Sequence, residues 1–145
     1  LYNTPANGCG DFKTCSLSGT VRGICPAGWH LPTESEWRYL LEVVGPLDEA
    51  AKKLKSKQYW KEYLGGDANG TDDYSFNALP AGRMYNKRYE DIHERAQFWS
   101  ASEYSERNAG MLYIYDDGSI SYFKVASSVN KHHAYSVRCI MDEPE

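Results

Sequence analysis

Three observations predict an α+β domain. Two amphipathic helical segments come first, between Thr33 and about residue 60. The second half of the chain then alternates in strand fashion about an Asp116-Asp117-Gly118 turn. Four cysteines, Cys9, Cys15, Cys25 and Cys139, form an even set with no C-x-x-C spacing, which suits two disulfides better than a metal site. The expected architecture is two helices packed on a small, mostly antiparallel sheet, with a long irregular loop region between them.

The first helix has the clearest start. Thr33-Glu34-Ser35-Glu36 is a capping box, and Trp37, Leu40, Leu41 and Val44 recur at helical spacing before Gly45-Pro46 stops the run. This predicts a helix from Glu34 to about Val44. Asp48 is placed to cap a second helix through Ala50, Ala51 and Leu54, extending toward Tyr59-Trp60, with Lys52, Lys53, Lys55 and Lys57 on its wet side. Residues 65–94 show little periodicity and open with the turn cluster Gly65–Asp73, so they read as a long loop with apolar anchors at Phe76, Leu79 and Pro80. Strands follow at Phe98–Ser102, Met111–Tyr115, Ser119–Val125 and Tyr135–Met141. The Asp116-Asp117-Gly118 segment forms a three-residue hairpin loop between the middle two.

Composition narrows the class. With 145 residues, 41% hydrophobic and 25% charged, the chain is one globular domain over 1–145 with a real core. Its net charge of −4 is spread without blocks, which gives no case for nucleic acid, and no apolar run approaches the roughly 20 residues of a membrane span. Twelve tyrosines and four tryptophans exceed what such a core needs, and tyrosine suits binding surfaces. Three cysteine pairings are possible. Cys9–Cys15 with Cys25–Cys139 is preferred, because the first closes a short Gly-containing loop and the second ties the start of the first helix to the last strand. Two disulfides place the domain outside the reducing cytoplasm, secreted or on the cell surface.

Four segments in order carry a resemblance: Cys25-Pro-Ala-Gly-Trp-His-Leu-Pro-Thr33 with Glu36-Trp37, Phe76-Asn-Ala-Leu-Pro-Ala-Gly82, Phe98-Trp-Ser-Ala-Ser102, and Tyr135-Ser-Val-Arg-Cys139. Over about residues 1–142 the chain resembles the Fibrobacter succinogenes major paralogous domain family. That resemblance implies a C-type-lectin-like fold, akin to sulfatase-modifying factors, and a place on the bacterial surface, often within modular or pilin-like proteins. It implies no defined reaction. Members usually continue upstream with a further strand segment, so a preceding N-terminal segment is expected to be lacking here.

The candidate site comes from the hairpin. Leu112 and Ile114 share one face, and with Phe123 and Val125 they are the better core set. Tyr113, Tyr115 and Tyr122 then share the other face beside Lys124, with Asp116, Asp117 and Asn130 near enough to bind hydroxyl groups. A tyrosine row could stack on sugar rings; equally, this face could pack beneath the 65–94 region. Asp67, Asn69, Asp72 and Asp73 could cage a structural calcium, although such clusters are more often turns. No other cofactor is indicated. His30 reads as a satisfied structural histidine. Catalysis is not expected, since the cysteines pair and leave no free thiol, and no Gly-x-Ser-x-Gly elbow occurs. The expected function is therefore a surface module that binds polysaccharide or glycan, or serves adhesion. The alternative is a structural subunit of a pilus or other surface assembly whose partner is another surface protein. A variable display domain and an enzyme rank below these.

Overall fold

The computed structural model of the protein describes residues 14–15, 19–117, 119–122 and 130–143, those at 120–122 by their backbone and register. Nine elements follow in order: β1 (Trp29–His30), α1 (Glu34–Val44), α2 (Leu47–Leu54), β2 (Arg83–Tyr85), β3 (Arg88–Glu90), β4 (Arg95–Glu103), β5 (Ala109–Tyr115), β6 (Ile120–Tyr122) and β7 (Ile140–Met141). They form a three-stranded antiparallel sheet β4-β5-β6 and two separate pairs, β1-β7 and β2-β3. The α+β class and the antiparallel pairing are as the sequence predicts.

α1 keeps its predicted bounds. The Thr33 Oγ1 accepts from the Glu36 amide at 3.2 Å, and the Thr33 amide donates to the Glu36 carboxylate at 2.7 Å. Trp37, Leu41 and Val44 are buried against Ala96 and Phe98 of β4 and Leu112 and Ile114 of β5, joined by Ala50, Ala51 and Leu54 of α2. This one apolar layer between helices and sheet is the main core. Its burial is the principal stabilising term, at about 25 cal/mol per Å² of apolar surface.

α2 differs from expectation at both ends. Pro46 occupies the cap position without a side-chain hydrogen bond, and Asp48 lies inside the first turn. The helix stops at Leu54 because the chain then pairs with residue 78: the Ser56 amide donates to the Ala78 carbonyl (3.0 Å) and the Ala78 amide to that of Leu54 (2.9 Å). Tyr59-Trp60 therefore lie outside the helix. Lys52 and Lys57 face water, but Lys55 is buried, against the prediction.

Within the 65–94 region the unanticipated feature is the β2-β3 hairpin. Its turn residues Asn86 and Lys87 both have positive φ (48° and 63°), the signature of a type I′ turn. The predicted strand at Tyr135–Met141 shortens to β7, because residues 134 and 136 make only isolated bridges, to Met84 and Phe98. The Cys25–Cys139 disulfide is present and ties the segment before β1 to the one entering β7. The expected Cys9–Cys15 pairing lies outside the described residues through Cys9; among the described residues no cysteine is free.

Candidate functional site: an aromatic groove beside a histidine clasp

β1 and β7 are only two residues long, with Trp29 opposite Met141 and His30 opposite Ile140. Strand alternation sends Trp29 outward and His30 inward. α1 contributes a second wall. Tyr39 and Val43, one turn apart, lie off its buried stripe and remain exposed. Residues 74–76 close the third side, where Phe76 packs edge-on to Trp37 (6.3 Å between ring centroids) and to Phe98 (5.8 Å). These parts enclose a groove of ≈ 580 Å³. Trp37 lies along it, buried, with an indole N–H that has no acceptor among the described residues. Trp29, Tyr39, Tyr74 and Met141 keep 39%, 67%, 49% and 66% of their surface exposed, a contiguous apolar display that folding alone does not require.

His30 and Glu36 are the polar groups of the groove that are tied down. His30 lies between two carboxylates, with Nδ1 2.6 Å from Asp142 Oδ1 and Nε2 2.8 Å from Glu36 Oε1. Only the doubly protonated imidazolium donates from both nitrogens. Burial disfavours that charge, but the hydrogen bonds to Glu36 and Asp142 outweigh burial and raise His30 above its ordinary value. Glu36 shows the converse: burial opposes its charge, yet hydrogen bonds from the Thr33 backbone and from His30 hold its carboxyl below the usual range. One carboxylate thus caps α1 and clasps β1. The satisfied histidine expected from the sequence is found here. Arg138 turns inward, its guanidinium 4.4 Å from the Phe76 ring centroid and donating to the Phe76 carbonyl at 2.6 Å.

The tyrosine face expected on the hairpin is only partly assembled. Tyr113 and Tyr115 do lie together, stacked at 4.9 Å, with Arg95 beside the Tyr115 ring. Tyr122 does not join them: it stands opposite Leu112, and the cross-strand neighbour of Tyr113 is Ser121. In an antiparallel pair opposite residues share a face, so Tyr122 belongs to the face of Leu112 and Ile114. Lys124, Phe123 and Val125 lie outside the described residues. Asn130 bridges Asn108 at the far end of β5. The second face is also largely covered, since Trp99 and Met111 are buried with Cys15, and Tyr113 and Tyr135 pack against them. Gln97, opposite Tyr113, is fully buried, and among the described residues neither of its amide atoms has a hydrogen-bond partner.

Asp116 and Asp117 instead meet Asp67 and Asn69 around Lys55, in a shallow depression of ≈ 210 Å³. Lys55 donates to the Asp116 carbonyl (3.2 Å) and lies 4.2 Å from the Trp60 ring centroid. Burial pushes its ammonium down to about 8 against the pull of Asp116, Asp117 and Asp67. Gly70 permits this approach, because a Cβ there would stand 2.2 Å from the Lys55 carbonyl oxygen. The four acidic and amide residues considered for calcium do not converge. Asp67 accepts from the Asn69 amide, Asp72 accepts from the Asn77 amide, and the Asp73 amide donates to the Lys53 carbonyl. Among the described residues no group of three or more His, Cys, Asp or Glu could hold a metal ion.

The groove was not anticipated from the sequence. Its one local signal is Tyr39 and Val43, an apolar pair at i, i+4 outside the buried stripe of α1. The pairing of Trp29 with Met141, more than a hundred residues apart, has no local signal.

Among the described residues no helix is long and apolar enough to cross a membrane. No curated protein and no solved structure matches the chain. One family model does, over residues 1–141.

Proposed function

From the premise that the chain belongs to the bacterial family described as the Fibrobacter succinogenes major domain, we propose that it is a secreted or surface-exposed binding module that takes a glycan in the Trp29–Tyr39–Tyr74 groove. The observation that carries the reading is the set of aromatic side chains left exposed around one concavity. Aromatic faces stack on the C–H faces of pyranose rings, and tyrosine hydroxyls and nearby carboxylates are suited to sugar hydroxyls. The Cys25–Cys139 bridge supports a location outside the cytoplasm. In this reading the α+β frame is a C-type-lectin-like one, and binding rather than turnover is the role. His30 has both ring nitrogens committed to carboxylates and so no free nitrogen to act as a base.

A second reading rests on the β2-β3 hairpin, where Met84, Tyr85 and Tyr89 are exposed. Such a patch suits a protein neighbour, as in a surface assembly. Retention of the purified domain on insoluble polysaccharides separates the two. The glycan reading predicts retention that Trp29→Ala or Tyr39→Ala weakens by about tenfold, equivalent to ~1.4 kcal/mol, while Tyr89→Ala retains it. An assembly subunit would show no retention and would be captured in complex from native extracts.

A further inference from the structure

Resting on that reading of the groove, we infer that Arg138 is its specificity-determining residue and that the ligand offers it a carbonyl-type oxygen, from a sugar carboxylate or an acetamido group. Arg138 lines the groove one residue before Cys139, whose bridge to Cys25 fixes the backbone there. Its partly buried guanidinium lies 4.4 Å from the ring centroid of Phe76 and 5.7 Å from that of Phe98. One Nη donates to the Phe76 carbonyl at 2.6 Å. A guanidinium carries several N–H donors, and among the described residues the rest find no protein acceptor. Arg83 and Arg95 are also partly buried, and each is paired with a carboxylate, at 2.9 Å to Glu90 and 3.1 Å to Asp91. Arg138 has no such partner among the described residues. Burial holds it below its ordinary value, and the more distant attraction of Asp72 does not restore it.

Position and chemistry together select the ligand group. The Phe76 ring and carbonyl hold the guanidinium in place, so its remaining donors are preorganised. A ligand that fills the groove displaces water from those donors and must replace it with an acceptor, because a hydrogen bond left unmade at a desolvated cation is costly. A carboxylate offers two acceptor oxygens to the planar fork. An acetamido carbonyl offers one, and its methyl group suits the apolar side chains of Leu40, Val43 and Met141 along the groove. A ring hydroxyl is a weaker acceptor than either. Glu143 lies exposed at the mouth, where solvent screens its repulsion of a carboxylate, so it counts for less than the partly buried guanidinium.

Three soluble probes at one ionic strength test this by calorimetry: polygalacturonate oligomers, N-acetylated chito-oligomers, and oligomers of a mixed-linkage β-glucan, which carries neither group. Polygalacturonate or the chito-oligomer is expected to bind about tenfold or more tighter than glucan, and whichever does so identifies the source of the oxygen. Arg138→Met should bring that ligand down to the glucan level while leaving glucan affinity within about twofold. Arg138→Lys keeps a cation against Phe76 without the planar fork, and it should lose most of the same preference even if Arg138→Met fails to fold. Glucan binding as tightly as both other probes, or a preference that survives Arg138→Lys, would overturn the inference and leave the groove as the site. So would an Arg138→Lys variant that weakens all three probes in equal proportion, since that is what a purely structural arginine predicts. If none of the three binds, or if Trp29→Ala leaves binding intact, the groove itself is refuted and the inference falls with it.

Discussion

His30 is the residue whose chemistry has the most direct consequence. Its folded value is raised, so the stability it contributes is complete below its ordinary value of 6.5 and is lost as pH rises through the raised one. Glu36 is lowered, so its contribution is present above 4.5 and is lost as pH falls through the lowered value. The clasp is therefore strongest in mildly acidic solution. Thermal melts across this range should show His30→Gln costing about 1–3 kcal/mol near pH 5–6 and much less at pH 9. A cost independent of pH would mean that the ring acts by packing alone. Gln97 gives the opposite sign. Its buried amide has no partner among the described residues, so Gln97→Leu should raise stability by about 1–3 kcal/mol in denaturant titrations. A loss on that substitution would show that the amide is satisfied in solution.

Legibility varied with the range over which each element is decided. α1 was readable to the residue because its capping box and stripe are local. Thr33→Ala should cost ~1 kcal/mol, or more, because the Glu36 it orders also holds His30. Circular dichroism and melts of Thr33→Ala, Glu36→Gln and the double variant would show that coupling as non-additivity. α2 was misjudged at its C-terminus because residue 78, far along the chain, captures the backbone at 54–56. The position of Tyr122 was open to correction from the sequence itself. A three-residue loop at 116–118 sets residue 115 opposite 119, which places 113 opposite 121 and 112 opposite 122. Grouping strand residues by chemistry rather than by that register put Tyr122 on the wrong face. The β2-β3 turn had a signal, Asn86, but Lys87 is an uncommon residue at positive φ.

At the scale of the molecule, the groove shares Trp37 and Phe76 with the core but takes its outer wall from β1 and β7. Helices and sheet share one apolar layer, while the groove hangs on two-residue strands fastened by a disulfide across 114 residues. Removing that bridge with Cys25→Ser and Cys139→Ser should cost ~4–5 kcal/mol in the chain-entropy account, read as a lower denaturation midpoint. Glycan retention should fail under milder conditions than the core, since β1 and β7 are two residues each and are held by the bridge and the His30–Asp142 pair. Sequence reasoning brought the family segments that build this wall together through the expected Cys25–Cys139 bridge, without finding that Trp29 pairs with Met141. A site formed where the two ends of a chain pair is set by long-range closure, and periodicity does not report it.

The groove as ligand site is tested most directly by following the four indole N–H resonances while a neutral β-glucan is titrated into the labelled domain. Trp29 is exposed on the groove wall, whereas Trp60 and Trp99 are buried elsewhere. A saturable shift of the Trp29 resonance, with Trp60 and Trp99 unmoved, is the predicted result. Shifts confined to Trp99, beneath the Tyr113–Tyr115 face, or no shift at Trp29 when the glucan binds, would contradict it.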